Sequence, residues 1–196
     1  MLVPGASLVS TAFASGKISH SGNVDQAIVQ SNSISATNSG AGGSADASGN
    51  SQSNSASNSA DVHIHNGGHH DSGKVAYHGN HGSGGKISHS GNVDQAIVQS
   101  NSISATNSGA GGSATADLNS QSNTATNTAN VDIHNHGYYG KISHSGNVEQ
   151  LIVQSNDISA NNSPTALDLI LPSADASLNN QTNSASNSAD VSIGNR

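Results

Sequence analysis

The sequence predicts an all-β protein in which three strand-turn-strand repeats stack into a cross-β or β-solenoid-like unit. The segment Gly-Lys-Ile-Ser-His-Ser-Gly-Asn-Val occurs three times, beginning at Gly16, Gly85 and Gly140. Long parts of each repeat alternate with strict period two, which is typical of extended strands. Ile, Leu, Val and Phe supply only 34 of 196 residues. This share, about 17%, is below the roughly 20% under which a conventional hydrophobic core becomes doubtful. The stacking of repeated, alternating strands therefore has to stabilise the fold in place of a large hydrophobic core.

The repeats divide the chain into unequal segments. The first segment, residues 1–15, is interpreted as a leader or signal-peptide remnant, because it is mildly apolar and contains Ala12-Phe13-Ala14, an A-x-A-like pattern. The other segments are repeat 1 at 16–66, a His/Gly-rich linker at 67–84, repeat 2 at 85–135, a short linker at 136–139, and repeat 3 at 140–195 with an insertion around 164–172. Similar repeats joined by linkers of unequal length predict repeats that contact one another while the linkers loop out.

Within each repeat, two alternating stretches predict two strands. In repeat 1, Ile, Val, Gln, Asn and Ala occupy every second position from residue 24 to residue 36. From residue 52 to residue 64, Gln, Asn, Ala, Val and Ile alternate with Ser, Asp and His over thirteen positions. Ile18 lies on the same parity, but Ser21-Gly22 breaks the strand before residue 24, and the Gly-rich residues 40–43 allow the chain to reverse between the two stretches. Apolar residues do not recur near every 3.6 positions, as a helix would require.

The predicted inward positions mix Ile and Val with Gln and Asn. A buried amide is costly when alone, but the same amide about 4.8 Å away in the next layer can satisfy it. Stacking therefore predicts ladders of identical side chains. The ladder candidates are Ile18, Ile87 and Ile142; Gln30, Gln99 and Gln154; Asn58, Asn127 and Asn187; and Ile64, Ile133 and Ile193.

Histidines are the candidate metal ligands. His63 and His65 lie two residues apart on one predicted strand face, His69 and His70 follow in the first linker, and His134 and His136 repeat part of the pattern. Imidazole together with carboxylate suits Zn, Cu or Ni. Two interpretations stay open: weak metal binding by this His-rich region, or a solvated segment without any cofactor. His20, His89 and His144 fall on the inward parity, and we expect them to stack as neutral packing residues rather than as ligands.

Composition argues against several classes of function. Five basic residues and one Phe provide neither a phosphate-binding surface nor a stacking platform for nucleic acid. No stretch approaches the roughly 18 apolar residues of a membrane span, and the chain has no Cys for a disulfide or a thiolate site. Asp25, Asp94 and Glu149 occupy equivalent repeat positions, which indicates a ladder rather than an acid–base pair. We therefore expect no enzymatic activity.

The segment Gly22-Asn23-Val24-Asp25-Gln26-Ala27-Ile28-Val29-Gln30 resembles the Asn/Gln/Gly-rich units of bacterial functional amyloids such as the curli major subunit. Three imperfect repeats with unequal linkers resemble the fibre subunit of the Pseudomonas Fap system. The 51-residue unit is longer than a curli-type repeat, and the Cys-x-x-Cys motif of the Fap subunit is absent. The resemblance implies a secreted subunit that assembles with itself into biofilm fibres. It also implies a nucleator or minor subunit and an outer-membrane secretion channel as partners.

The expected function is thus that of a structural subunit of an extracellular, amyloid-like fibre that grows by templated stacking of repeats. Neither end of the predicted stack carries the proline or inward charge that usually protects a strand edge, so both ends are expected to be open. The alternative is a monomeric, capped β-solenoid module of an adhesin or of an ice-binding type. Rows of Ser and Thr on the predicted outer face are the feature that an ice-binding module would share.

Overall fold

The structure, a computed structural model, describes residues 6–14, 17–67, 85–136, 140–163 and 173–195. Every regular element in these ranges is a β-strand, which confirms the all-β class. The strands are β1 (Ala6–Ala14), β2 (Ile18–Ser19), β3 (Val24–Asn38), β4 (Ala45–Asp46), β5 (Ser51–Gly67), β6 (Lys86–Ser88), β7 (Val93–Asn107), β8 (Ser113–Thr115), β9 (Ser120–His136), β10 (Lys141–Ser143), β11 (Val148–Asn162), β12 (Ser173–Asp175) and β13 (Asn180–Asn195). Most of both predicted linkers and the insertion around 164–172 lie outside the described residues.

Equivalent strands of the three repeats pair with one another in parallel. The sheet orders are β2-β6-β10, β3-β7-β11, β4-β8-β12 and β1-β5-β9-β13. Pairing is in register, so that Gln30 lies beside Gln99 and Gln99 beside Gln154. Each repeat is therefore one layer of a parallel stack, as the predicted cross-β, solenoid-like class requires.

The two long strands of one repeat face each other through their side chains, because β3 and β5 belong to different sheets. Gln26 Nε2, for example, donates a hydrogen bond to Ser59 O across the layer at 3.1 Å. The short strands β2 and β4 lie at the two ends of this pair of facing strands. Ile18 of β2 packs with Val62 and Ile64 at one end, and Ala45 of β4 belongs to the cluster at the other. The sequence alone had left open whether each layer is a hairpin, a triangle or a Greek key.

The interior contains both apolar and amide side chains, as the alternation predicts. Along β7 every second residue from Val93 to Asn107 is buried, and Val131 and Ile133 of β9 are fully buried. Repeat 2 lies between the other two layers and is the best covered. The period-two alternation in the sequence therefore matches the alternation of buried and solvent-facing side chains along β7.

Strand β1 was not predicted by the sequence analysis. Residues 6–14 pair in parallel with the second half of β5, from Ala6 beside Asn58 to Ala14 beside Asn66. This strand adds to the stack at the repeat 1 end without being a copy of a repeat. The interpretation of residues 1–15 as a leader stays a prediction, but these residues include a strand of the stack.

Close contact between layers makes Gly109 sensitive to substitution. A Cβ at Gly109 would meet the carbonyl of Gly40 in the preceding layer. We expect Gly109→Ala to lower the free energy of unfolding by about 2 to 3 kcal/mol, since backbone moves less readily than a side chain. Urea unfolding of the soluble chain, followed by circular dichroism, measures this change.

Gly49→Ala is the matched control. Gly49 has a left-handed backbone with φ +69, and a Cβ there would meet nothing within 4 Å. Leu118 and Leu178 hold the equivalent positions of the other repeats with φ 55 and 52. Gly49→Ala should cost only about 1 kcal/mol. Equal losses for the two variants would contradict the close interlayer contact at Gly109.

Candidate functional site

The candidate site consists of the amide ladders and the two end layers at which these ladders stop. Gln95 Nε2 donates to Gln26 Oε1 at 2.7 Å, and Gln150 Nε2 donates to Gln95 Oε1 at 2.9 Å. Two more columns are built in the same way: Gln30, Gln99 and Gln154, and Gln52, Gln121 and Gln181. Each glutamine thus satisfies part of the hydrogen-bonding capacity of its neighbour in the next layer.

The asparagine ladders run in the opposite direction. Asn58 Nδ2 donates to Asn127 Oδ1 at 3.1 Å, and Asn127 Nδ2 donates to Asn187 Oδ1 at 3.1 Å. The other columns with this direction are Asn54, Asn123 and Asn183; Asn32, Asn101 and Asn156; and Asn38, Asn107 and Asn162. The asparagines of these four columns therefore donate from repeat 1 towards repeat 3, whereas the glutamines donate from repeat 3 towards repeat 1.

Backbone carbonyls set these directions; they belong to the facing sheet except in the Asn38 and Asn107 column, where they belong to the Gly-rich turn. Gln95 Nε2 also donates to Thr128 O at 3.1 Å, and Asn127 Nδ2 also donates to Leu151 O at 3.2 Å. A backbone carbonyl only accepts hydrogen bonds, so the amide nitrogen must lie on that side. The second hydrogen of the same nitrogen then donates along the stack. Both ladder directions thus follow from the packing of the two sheets.

The two end layers consequently offer complementary groups. At the repeat 3 end, Gln154 Oε1 is the acceptor that a further glutamine would use, and Asn187 Nδ2 is the donor that would continue its column. At the repeat 1 end, Asn58 Oδ1 is buried and has no hydrogen-bond partner among the described residues. That atom is the acceptor that a preceding asparagine would use.

The two ends differ in how well they are covered. Val191 and Ile193 of β13 are 41% and 49% exposed, whereas the equivalent Val62, Val131, Ile64 and Ile133 are fully buried. At the repeat 1 end, β1 pairs with the part of β5 that contains Val62 and Ile64. The expectation of two open ends is therefore wrong for this part of repeat 1. The repeat 3 end leaves inward-parity residues exposed.

The predicted ladder residues lie in register. Ile87 pairs with Ile18 and with Ile142, and Ile133 pairs with Ile64 and with Ile193. The glutamine and asparagine columns predicted at Gln30 and Asn58 are two of the ladders described above. The sequence analysis did not find the hydrogen bonds from these amides to the facing strand, because alternation does not say which strand lies opposite.

The prediction that His20, His89 and His144 face inward is wrong. All three side chains are exposed, and their φ values of 54, 52 and 49 are left-handed. This turn interrupts the alternation that begins at Ile18, so counting by twos assigns the wrong face. The predicted stacking is present: the ring centroids lie 5.2 Å apart between His20 and His89 and 5.0 Å apart between His89 and His144.

The candidate metal ligands lie on the outer face of β5 and β9. His63, His65 and His134 are half-buried, and His136 is exposed. The ring centroids of His65 and His134 are 5.4 Å apart, and His134 and His136 are 6.1 Å apart. His69 and His70 lie outside the described residues. The sequence analysis missed Asp132, whose register partner is His63. The available signal was that Asp132 holds in repeat 2 the position that His63 holds in repeat 1.

No protein-family model, curated protein or solved structure matches this chain. The resemblance to curli and Fap subunits therefore stays a prediction. Across the described ranges there is no helix with the length and apolar character needed to cross a membrane.

The central asparagine of one ladder provides a test of the amide columns. Asn127 is fully buried, and Asn127→Leu leaves Asn58 Nδ2 and Asn187 Oδ1 without their ladder partner. We expect the free energy of unfolding to fall by about 2 to 4 kcal/mol, because buried polar groups lose hydrogen bonds. Urea titration of the soluble chain measures the loss.

Asn130→Leu is the matched control, because Asn130 lies on the same strand with its side chain exposed. The hydrogen bond of this side chain to Asp61 Oδ1, at 3.1 Å, is also exposed. This variant should change the free energy of unfolding by less than about 1 kcal/mol. A loss as large as that of Asn127→Leu would argue against a special role for the buried column.

Proposed function

We propose that this chain is the structural subunit of a self-assembling, extracellular, amyloid-like fibre that grows by templated stacking. The observation that carries this proposal is the repeat 3 end. There Val191 and Ile193 are 41% and 49% exposed at positions that are fully buried in both other layers. One further in-register layer would bury these side chains and extend every ladder.

The ladder directions favour head-to-tail addition. The repeat 3 end offers Gln Oε1 acceptors and Asn Nδ2 donors, and the repeat 1 end offers the matching Gln Nε2 donors and Asn Oδ1 acceptors. Two repeat 3 ends placed together would set acceptor against acceptor in the glutamine columns. A head-to-tail contact that does not close on itself generates a filament. The fibre would therefore be polar, with every chain in the same orientation.

Strand β1 occupies a place that this growth requires. It pairs with residues 58–66 of β5, at the edge that β13 of the next chain would use. Among the described residues, no strand is added to the edge strands β2, β3 and β4 in the other three sheets of repeat 1. Templated stacking at this end therefore requires β1 to leave. Removal of residues 1–14 during secretion, as the leader interpretation implies, would uncover this edge.

The partners and location in this proposal come from the predicted resemblance. The main partner is another copy of the same chain, with a nucleator or minor fibre subunit and an outer-membrane secretion channel as accessory partners. Adhesion and biofilm structure would follow from the fibre itself. The proposal assigns no catalysis, no nucleic acid and no membrane span to the chain.

A monomeric, capped solenoid of an adhesin or ice-binding type is the second candidate, and β1 is the observation that favours it. A strand that covers part of an end layer acts as a cap, as terminal units do in other repeat proteins. The outer face of the stack also carries rows of hydroxyl groups, such as Ser55, Thr124 and Ser184, which lie in register.

Removal of β1 distinguishes the two candidates. We expect the chain lacking residues 1–14 to form unbranched fibres in electron micrographs, with a shorter lag time in dye binding than the full chain. Sedimentation of the same samples measures the fraction assembled. Discrete particles from both chains under all conditions would favour the capped solenoid and exclude the fibre.

A charge at the repeat 3 end should block growth. Val191→Lys places an ammonium group where the next layer would bury it, and burying an unpaired charge is strongly unfavourable. Since Val191 is already 41% exposed, the isolated chain should fold normally. We expect elongation from preformed seeds to slow at least tenfold.

Ser192→Lys is the matched control, because Ser192 is the next residue and lies on the outward parity. This variant should elongate at the wild-type rate. Equal elongation rates for the two variants would refute growth through this end.

A further inference from the structure

A cluster of histidine and aspartate side chains lies on the outer face where β5 of repeat 1 meets β9 of repeat 2. Asp132 Oδ2 is 3.8 Å from His63 Nδ1 and 3.9 Å from His65 Nε2. One donor atom from each of the three residues lies within 4.8 Å of the other two. We propose that His63, His65 and Asp132 bind one divalent transition-metal ion, of the zinc class, between the two layers.

The backbone brings these three residues together. His63 and His65 lie two positions apart on one strand, so their side chains lie on the same face. Asp132 is the register partner of His63 in the adjacent strand, and parallel neighbours lie about 4.8 Å apart. The arrangement therefore depends on in-register stacking of repeats 1 and 2.

The surroundings of the cluster prepare His63 as a ligand. His63 Nε2 lies 2.9 Å from Asp61 Oδ1, so the ring hydrogen belongs on Nε2 and the lone pair on Nδ1, the atom near Asp132. A carboxylate that orients a ligand histidine through its other ring nitrogen is a common feature of metal sites. Asp61 is itself held by Asn130 Nδ2 at 3.1 Å.

The Asp132 carboxylate lies between imidazoles on both sides. Its Oδ1 atom is buried and has no aligned hydrogen bond within the described part of the chain, although His134 Nε2 lies 2.8 Å away. One imidazole thus holds the carboxylate through Oδ1, and Oδ2, which faces His63 and His65, is the oxygen left for an ion. A cation at this position would compensate the carboxylate, and His134 is close enough to support the site from the opposite side.

The donor set determines the class of ion. Two imidazoles and one carboxylate suit Zn, Cu or Ni, whereas Mg and Ca prefer all-oxygen ligands. Zinc bonds of about 2.0 to 2.2 Å place tetrahedral donors roughly 3.3 Å apart. The Asp132–His separations of 3.8 and 3.9 Å need to contract by less than about 1 Å. The His63 and His65 donors, which lie within 4.8 Å of each other, need to approach by at most about 1.5 Å, and a fourth position stays open for water.

The site does not recur between repeats 2 and 3. In repeat 3 the register partners of Asp132 and His134 are Ser192 and Gly194, which supply neither imidazole nor carboxylate. We therefore expect one such ion per chain, located between the two layers that the longer linker joins. All three ligands belong to one chain, so the site does not require fibre growth, although His63 and His65 lie on β5 of the repeat 1 end, the strand that also pairs with β1.

Equilibrium dialysis of the full chain against Zn²⁺ tests the proposal in soluble and assembled samples alike. His69, His70, His78 and His81 are first replaced by Asn, so that linker imidazoles do not contribute. One Zn²⁺ per chain should remain. Asp132→Asn and His65→Gln should each weaken binding at least tenfold, and excess Mg²⁺ should not compete. Asp94→Asn and His144→Gln make the same chemical changes on exposed residues away from the cluster, Asp94 in a different sheet, and should leave the affinity unchanged.

Equal affinity in the parent chain and in either folded ligand variant, with folding checked by circular dichroism, would overturn the proposal. X-ray absorption of the Zn²⁺-loaded parent chain provides a second measurement that does not depend on the variants. Two imidazoles and at least one carboxylate should surround the ion. A shell without histidine, or a shell of imidazoles without a carboxylate, would also overturn the proposal.

Discussion

The structure depends on the need to satisfy primary amides that are buried between two sheets. Gln95, Gln99 and Asn127 are fully buried in the central layer, and each finds partners in the layers on both sides and on the facing strand. This is possible only when identical residues lie one strand spacing apart in register. The close similarity of the three repeats follows from this requirement, since one mismatched inward amide would leave several groups unpaired at once.

The same amides give the stack a direction. Carbonyl groups of the facing sheet hold the amide nitrogens, so glutamine and asparagine columns donate in opposite directions along the stack. The repeat 3 end therefore differs from the repeat 1 end chemically as well as in coverage. An uncovered end with unused amide groups is the feature on which the proposed fibre depends. Strand β1 is the feature that opposes it, because it takes the edge of β5 that an incoming layer would need.

The outer face of β5, β9 and β13 is free of the ladder constraint, and several of its residues vary from layer to layer. At one position along the stack the residues are His63, Asp132 and Ser192, and two positions later they are His65, His134 and Gly194. A solvated side chain does not need an identical neighbour, so substitutions accumulate there without loss of the stack. Variation on this face places imidazole beside carboxylate, which identical layers would not do.

Alternation and repetition in the sequence by themselves determined the strands, their inward faces and the in-register stacking of Gln30 with Gln99 and Gln154, because these depend on period and spacing. Only the tertiary structure decided what lies across from each strand, since two sheets can face each other in several ways with the same alternation. The pairing of β1 with β5 was hidden because β1 is not a copy of any repeat. His20 was assigned to the wrong face because its left-handed backbone interrupts the period-two alternation. Asp132 was missed because it lies beside His63 only through strand pairing, 69 residues away in the sequence.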